Sequence, residues 1–294
     1  MPRFHKETRD ALKFLLPFFV FLGVFTVYPI ITSFYYTLND ITLSHLKPEF
    51  IGIGNYAKLF SDKLFRQALT QTLLYLAFHT AVGVPLGLGI ALLLNEEFRG
   101  RSFARACLLI PWSTPPIVAA LIFFISLNPS FGPITYALEL LGIFSHQFSI
   151  FGNPNLALFG LAVVSLWKSA PLFAFIFLSA LQNLPIESVE SAKVYGASSF
   201  MVFRKVTLPF LKPTLAVNCI LSGILALSGT QAFDIVVGIT GGGPGYHTYM
   251  LYYLGYMTAF PWNDLGYGAT ISYIVTIIAV VFAMVLLKLW YKRA

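Results

Sequence analysis

Charge is scarce in this sequence. Of 294 residues, 19 are Lys or Arg and 12 are Asp or Glu, so charged residues make up 11%, against about 25% in an ordinary soluble domain. So few charges cannot cover the surface of a soluble fold of this size. That excludes an ordinary cytosolic enzyme, a disordered tail and a coiled coil. Cysteine is nearly absent. Cys107 and Cys219 both sit in apolar runs, which excludes a disulfide framework and predicts two buried, inert thiols. No G-x-x-x-x-G-K-[ST] segment occurs and no Lys follows any Gly, so the chain has no loop with which to cradle a nucleotide. No G-x-S-x-G is present. His5, His45, His79, His146 and His247 are scattered, with no H-E-x-x-H, which argues against a metal site.

What the chain has is hydrophobic length. Hydrophobic residues make up 57%, against about 45–50% in a soluble domain. Residues 14–39, 67–95, 106–138, 213–233 and 265–287 hold no Asp, Glu, Lys or Arg, and 140–186 hold only Lys168. A crossing needs roughly 20 mostly apolar residues. This predicts six spans, at about 12–36, 69–94, 106–127, 156–181, 213–236 and 267–290. In lipid the backbone must satisfy itself, so the spans are helices. The alternation that a barrel needs is missing. The first apolar run is too long for a signal peptide, so it is expected to remain as an anchor. The expected division is therefore a short segment at 1–11, a membrane domain at 12–290 and a tail at 291–294.

The basic residues set the orientation. Fourteen Lys and Arg fall at the N-terminus, after the second and fourth spans, and at the C-terminus; four fall in the first loop on the opposite side. Both termini are expected in the cytoplasm, and the basic balance of +7 needs no nucleic acid to explain it. Residues 133–143 place Ile134, Ala137, Leu138 and Leu141 on one face of a helix too short to cross. A helix lying flat on the outer surface is expected there.

Few ionisable groups lie inside the spans. Lys168 is alone near the middle of the fourth, where a lysine costs about 2.5–3.5 kcal/mol on insertion scales. It needs water, a partner or a carbonyl. Pro171 denies the Trp167 carbonyl its helical donor, which offers one local acceptor. Alternatively, Lys168 faces a translocation path beside Trp167, whose ring could stack on a sugar. Both readings stand. No carboxylate accompanies Lys168, so the energy for any transport is expected from elsewhere. His79 reads as a satisfied interior histidine. Gly83-x-x-x-Gly87 permits close helix packing. The tyrosines of the outer loop 238–266 read as an interfacial belt.

The longest cytoplasmic loop, 182–212, carries the most information. Pro185 suits the start of a helix. Glu187 and Glu190 fall in its early turns, where the helix dipole favours negative charge. Ser188, Ser191 and Ala192 keep it slim, and Gly196 can end it in a left-handed conformation. A second short helix should run from about Ser198 to Lys205, with Pro209 and Pro213 leading into the fifth span. A slim, acidic-tipped bracket of this kind suits a partner's groove.

Glu190-Ser191-Ala192, then Gly196, then Val206-x-Leu208-Pro209 resembles the E-A-A-x-x-x-G-(x9)-I-x-L-P loop of permease subunits in binding-protein-dependent ABC importers. Ser191 replaces an alanine, and Tyr195 stands where an aspartate is usual. Phe50 to Tyr56, Asn95 to Arg101, Leu109-Ile110-Pro111-Trp112, Leu181 to Pro185, and Phe233-Asp234 through Gly245 resemble the sugar-importing, MalF-type branch. The resemblance implies an all-α ABC importer permease fold with six crossings, in the plasma (inner) membrane of a prokaryote. It implies a coupling loop of Glu187, Glu190, Ser191, Ala192, Gly196, Leu208 and Pro209. It also implies four kinds of partner: a MalG-type second permease, two ABC ATPase subunits, an extracytoplasmic sugar-binding protein and membrane lipid. This chain would hold no cofactor, with ATP and Mg on the ATPases, and it would not be an enzyme. A phosphorylated or non-sugar solute, such as glycerol phosphate or a polyamine, is the alternative cargo. An integral membrane enzyme is a third reading, for which no cluster of nucleophile, acid and base is present.

Overall fold

The structure, a computed structural model, describes residues 2–45, 47–145, 147–229 and 231–291. The tail expected at 291–294 lies, after Tyr291, outside them, as does His146. Helices dominate, and the chain divides into two compact units.

The first unit comprises residues 1–62 with 255–273. It begins with α1 (Pro2–Leu22) and α2 (Tyr28–Thr37), joined by a π-helical turn at Gly23–Val27. The turn has a local cause. Pro29 has no N–H for the Phe25 carbonyl, and the Tyr28 N–H reaches back to Gly23 instead. A two-residue hairpin pairs β1 (Asn39–Asp40) with β2 (Glu49–Phe50), and α3 (Gly54–Ser61) follows. Asn55 holds this end together. Its amide donates to the carbonyls of Thr37 (3.1 Å) and Asn39 (3.0 Å), while the Tyr56 hydroxyl meets Thr37 Oγ1 at 3.0 Å. Lys58 pairs with Asp264 at 3.0 Å and lies over the Tyr267 ring, whose hydroxyl donates to Asp62 at 2.7 Å.

The second unit comprises 63–254 with 274–294. Its axis is α8 (Ala157–Gln182), buried along most of its length. Against α8 lies α4 (Lys63–Asn95). Gly83 and Gly87 make that approach close: a Cβ on Gly83 would come 2.6 Å from Leu166, and one on Gly87 would meet Phe173 and the backbone of Ala174. The G-x-x-x-G stripe is therefore a contact within the chain. Val84, Ala91, Leu94, Phe177, Leu178, Leu181 and Leu211 form one core cluster at this seam. The cysteine expectation needs correcting. Cys219 is half-buried, but Cys107 is exposed on the surface of the chain.

Two predicted spans are broken. The third, expected at 106–127, consists of α5 (Arg101–Ser113) and α6 (Pro116–Ser126), bent by 97°. Consecutive prolines cause the break. Pro115 and Pro116 lack the N–H groups that would serve the carbonyls of Pro111 and Trp112, and each drives its predecessor out of the helical region, with ψ of 127° at Thr114 and 141° at Pro115. Further along, α7 (Pro133–Leu140) is the short helix expected at 133–143. The fifth span, expected at 213–236, is α12 (Lys212–Leu227), then a break, then α13 (Ala232–Ile239). Gly238 on α13 packs tightly against Ala120 and Ile117 of α6. The chain continues through α14 (Leu251–Ala259) to α15 (Leu265–Tyr291). Among the described residues, Asp10–Thr37, Lys63–Asn95, Ala157–Gln182 and Leu265–Leu289 are long and apolar enough to cross a membrane. Two bent pairs, α5 with α6 and Ser199–Phe210 with α12, bring the candidates to as many as six.

Candidate functional site

The loop between α8 and α12 forms the bracket that its residues predict. Pro185 is extended (ψ 118°) and caps α9 (Ile186–Val194), with Glu187 in the first turn and Lys193 in the last. The helix stops at Gly196, whose φ is +79°. There the Ala197 N–H bonds the Ala192 carbonyl (3.0 Å) and the Gly196 N–H bonds the Lys193 carbonyl (2.9 Å). This pair of bonds satisfies the open end of the helix. Ser198 then caps α10 (Ser199–Val202), its hydroxyl accepting from the Met201 N–H.

The second short helix differs from the expected 198–205. After Val202 the backbone widens into a π-helical turn at Phe203–Thr207, followed by α11 (Leu208–Phe210). Pro209 is the reason, because it offers no N–H to the Lys205 carbonyl. The bracket is anchored by buried Val202, Thr207 and Leu211. Leu208 is half-buried and Pro209 exposed.

Glu187, Glu190, Ser191 and Gly196 are exposed, and Ala192 is half-buried. Sequence reasoning passed over what surrounds them. Val194 is 84% exposed, Tyr195 87%, and Ile186 and Phe200 about as bare. The slim acidic helix thus carries an apolar rim. The usable signal was Val194 and Tyr195 side by side, just ahead of the glycine that ends the helix.

Trp167 and Lys168 lie on α8 in different surroundings. Trp167 is half-buried with its ring edge-on to Phe123 at 5.4 Å. Lys168 is buried and donates to a backbone carbonyl at 3.0 Å, but that carbonyl belongs to Trp112, not to Trp167. His79 is satisfied as expected. Ser222 lies 2.8 Å from its Nδ1 and Ser169 3.1 Å from its Nε2, so one ring joins α4, α8 and α12. The tyrosines at 246, 249 and 253 pack on one another. Tyr249 meets Tyr246 and Tyr253 edge to face, the Tyr253 hydroxyl donates to the Gly241 carbonyl, and Gly242 leaves room for the Tyr249 and Tyr253 rings. Burial, aided by the neighbouring phenols, pushes the Tyr249 hydroxyl up from its ordinary value. Among the described residues, no three His, Cys, Asp or Glu side chains gather in a way that could hold a metal ion.

Comparison with known proteins adds a family and a fold. Residues 83–294 match the family described as binding-protein-dependent transport system inner membrane component. The chain is 33% identical over 285 residues to the trehalose/maltose transport system permease protein MalF of Thermococcus litoralis, covering 97% of this chain and 94% of that one. It is 33% identical to the sulfoquinovosyl glycerol transport system permease protein SmoG of Agrobacterium fabrum, over 95% of this chain and 89% of the other. The fold matches a chain of the bacterial alginate ABC transporter solved with its alginate pentasaccharide-bound periplasmic protein. There the TM-score is 0.82 at 20% identity, covering 96% of this chain and 94% of that one.

Proposed function

Because the chain belongs to the family of binding-protein-dependent transport system inner membrane components, we propose that it is one permease subunit of an ATP-driven sugar importer. It forms half of a pathway for a di- or oligosaccharide handed over by an extracytoplasmic binding protein. The chain is a non-catalytic transport subunit. A second permease of the MalG type completes the pathway, and two ABC ATPases bind ATP and Mg. Six crossings, with α5–α6 and the α12 segment each counted once, leave both termini and the bracket on the cytoplasmic side. The fourteen-to-four distribution of Lys and Arg supports that placement, in the plasma (inner) membrane of a prokaryote.

The observation that carries the proposal is the bracket. A helix nine residues long, stopped by Gly196 and bared at its rim, is a rigid lever. Force applied at Glu187, Glu190, Ser191 and Ala192 passes through Leu208 and Pro209 into α12. Val194 and Tyr195 supply the apolar contact that a cleft on the ATPase would bury.

The test is ATP-dependent uptake of labelled trehalose, maltose and longer maltodextrins into vesicles holding the chain with its partner subunits and binding protein. Glu190→Lys should abolish uptake and co-purification of the ATPase while leaving the amount of inserted chain unchanged. Survival of both activities in that variant would remove the lever reading. Uptake of glycerol phosphate in place of the saccharides would replace the cargo.

A further inference from the structure

The bend in the third crossing leaves a specific debt in hydrogen bonding. The Ile110 carbonyl is well served, by the Thr114 N–H at 3.1 Å and the Thr114 hydroxyl at 2.7 Å. The Trp112 carbonyl has no such help, because its helical donor would be residue 116, a proline. An unpaired carbonyl in the membrane interior is costly. Lys168 reaches it from α8 at 3.0 Å, with its ammonium 5.4 Å from the centre of the Trp112 ring. A cation at a helix C-terminus is also favoured by the dipole. Two groups that could not be left alone in lipid thus resolve each other. Each is expensive for a separate reason, and their pairing spans 56 residues.

The bend has a structural consequence. α5 packs on α8, while α6 packs mainly on α13, the segment beyond the break in the fifth crossing, and less on α8. α6 and α13 also touch α8 directly, as where Phe123 meets Trp167, so the angle at Ser113–Pro116 and those contacts together place the α6–α13 pair against α8. We propose that Lys168 is a positioning residue for import: the two prolines make the bend, and Lys168, by capping the donorless Trp112 carbonyl, fixes its angle. Lys168 acts through the backbone of α5 and has no need to touch the solute. The role in import rests on the function proposed above; the role at the bend does not.

The test reads the bend directly, in the full-length chain in lipid nanodiscs. Spin labels go to Phe103→Cys and Ile125→Cys, both exposed, with Cys107 and Cys219 changed to Ser. For a 97° bend and a rise of 1.5 Å per residue, the helix axes at these positions stand about 22 Å apart; a straight helix would put them about 33 Å apart. The parent chain should show the short distance. Lys168→Met should broaden the distribution and move it outward, short of the roughly 11 Å that full straightening would give because both prolines remain, and lower uptake at least tenfold. Lys168→Arg, which can still donate to a carbonyl, should keep both the short distance and uptake. Lys168→Leu, equally unable to donate to the carbonyl, decides the matter if Lys168→Met fails to insert. Unchanged distances in Lys168→Met or, failing that variant, in Lys168→Leu overturn the proposal. Distances that shift as expected in a chain with no saccharide uptake would instead remove the import reading and leave the hinge.

Discussion

Gly196 offers the most direct test of the lever, because one position can be graded through four residues. Its φ of +79° lies in the left-handed region, and no atom stands within 4 Å of where a Cβ would sit. Any penalty at this site is therefore conformational, without a clash to confuse it. Alanine in that region costs about 1–2 kcal/mol, which lowers the ratio of formed to unformed bracket roughly 5- to 30-fold. Asparagine is tolerated better at such helix ends and should cost less. Proline cannot reach the angle, since its ring fixes φ near −65°, and it also deletes the N–H that bonds the Lys193 carbonyl at 2.9 Å. The bracket cannot form with proline. The expected order of ATP-dependent uptake is Gly, Asn, Ala, then Pro at background. Immunoblots of the membrane fraction should show equal insertion throughout, because α8 and α12 are untouched. Co-purification of the ATPase should follow the same order. If alanine and proline were equally active, or alanine as dead as proline, the conformational reasoning would be refuted.

The seam between α4 and α8 gives a contrast between two glycines of one motif. Gly83→Ala meets only the ends of Leu166 and Phe173 side chains, which can turn aside, whereas Gly87→Ala meets Phe173 Cβ and the Ala174 backbone. Overpacking costs about 1–3 kcal/mol, so Gly87→Ala should lower the thermal midpoint of the purified chain clearly more than Gly83→Ala does; the reverse order would discredit the packing described. In the first unit, Asn55→Ala removes the donor to two carbonyls, those of Thr37 and Asn39. Leaving them unpaired should cost about 1–3 kcal/mol, read as earlier proteolysis within residues 38–62; protection equal to the parent would show that Asn55 is not the tie.

Prolines explain both what the sequence made legible and what it hid. Each proline deletes a donor four residues ahead of a known carbonyl, and that much can be written down from letters alone. Pro209 was visible as punctuation, yet the outcome there, as at Pro29, was a widened turn, because the neighbouring N–H could reach one residue further back. Pro115 and Pro116 in succession leave no such neighbour, so the chain breaks instead, and reading 106–127 as one straight crossing missed this. Gly196 was legible for the opposite reason. Its conformation is local, and the bonds that close the helix come from residues within five positions. Lys168 marks the boundary between the two cases. Its need for an acceptor follows from burial of a charge in an apolar run. Pro171 appeared to supply that acceptor nearby at Trp167, but the carbonyl it uses is on another helix, at Trp112. A deleted donor is a local fact; which distant group comes to the orphaned carbonyl is decided by packing. Here the packing is that of α5 on α8, and the two-proline break is what turns the end of α5 into a place where a lysine can settle.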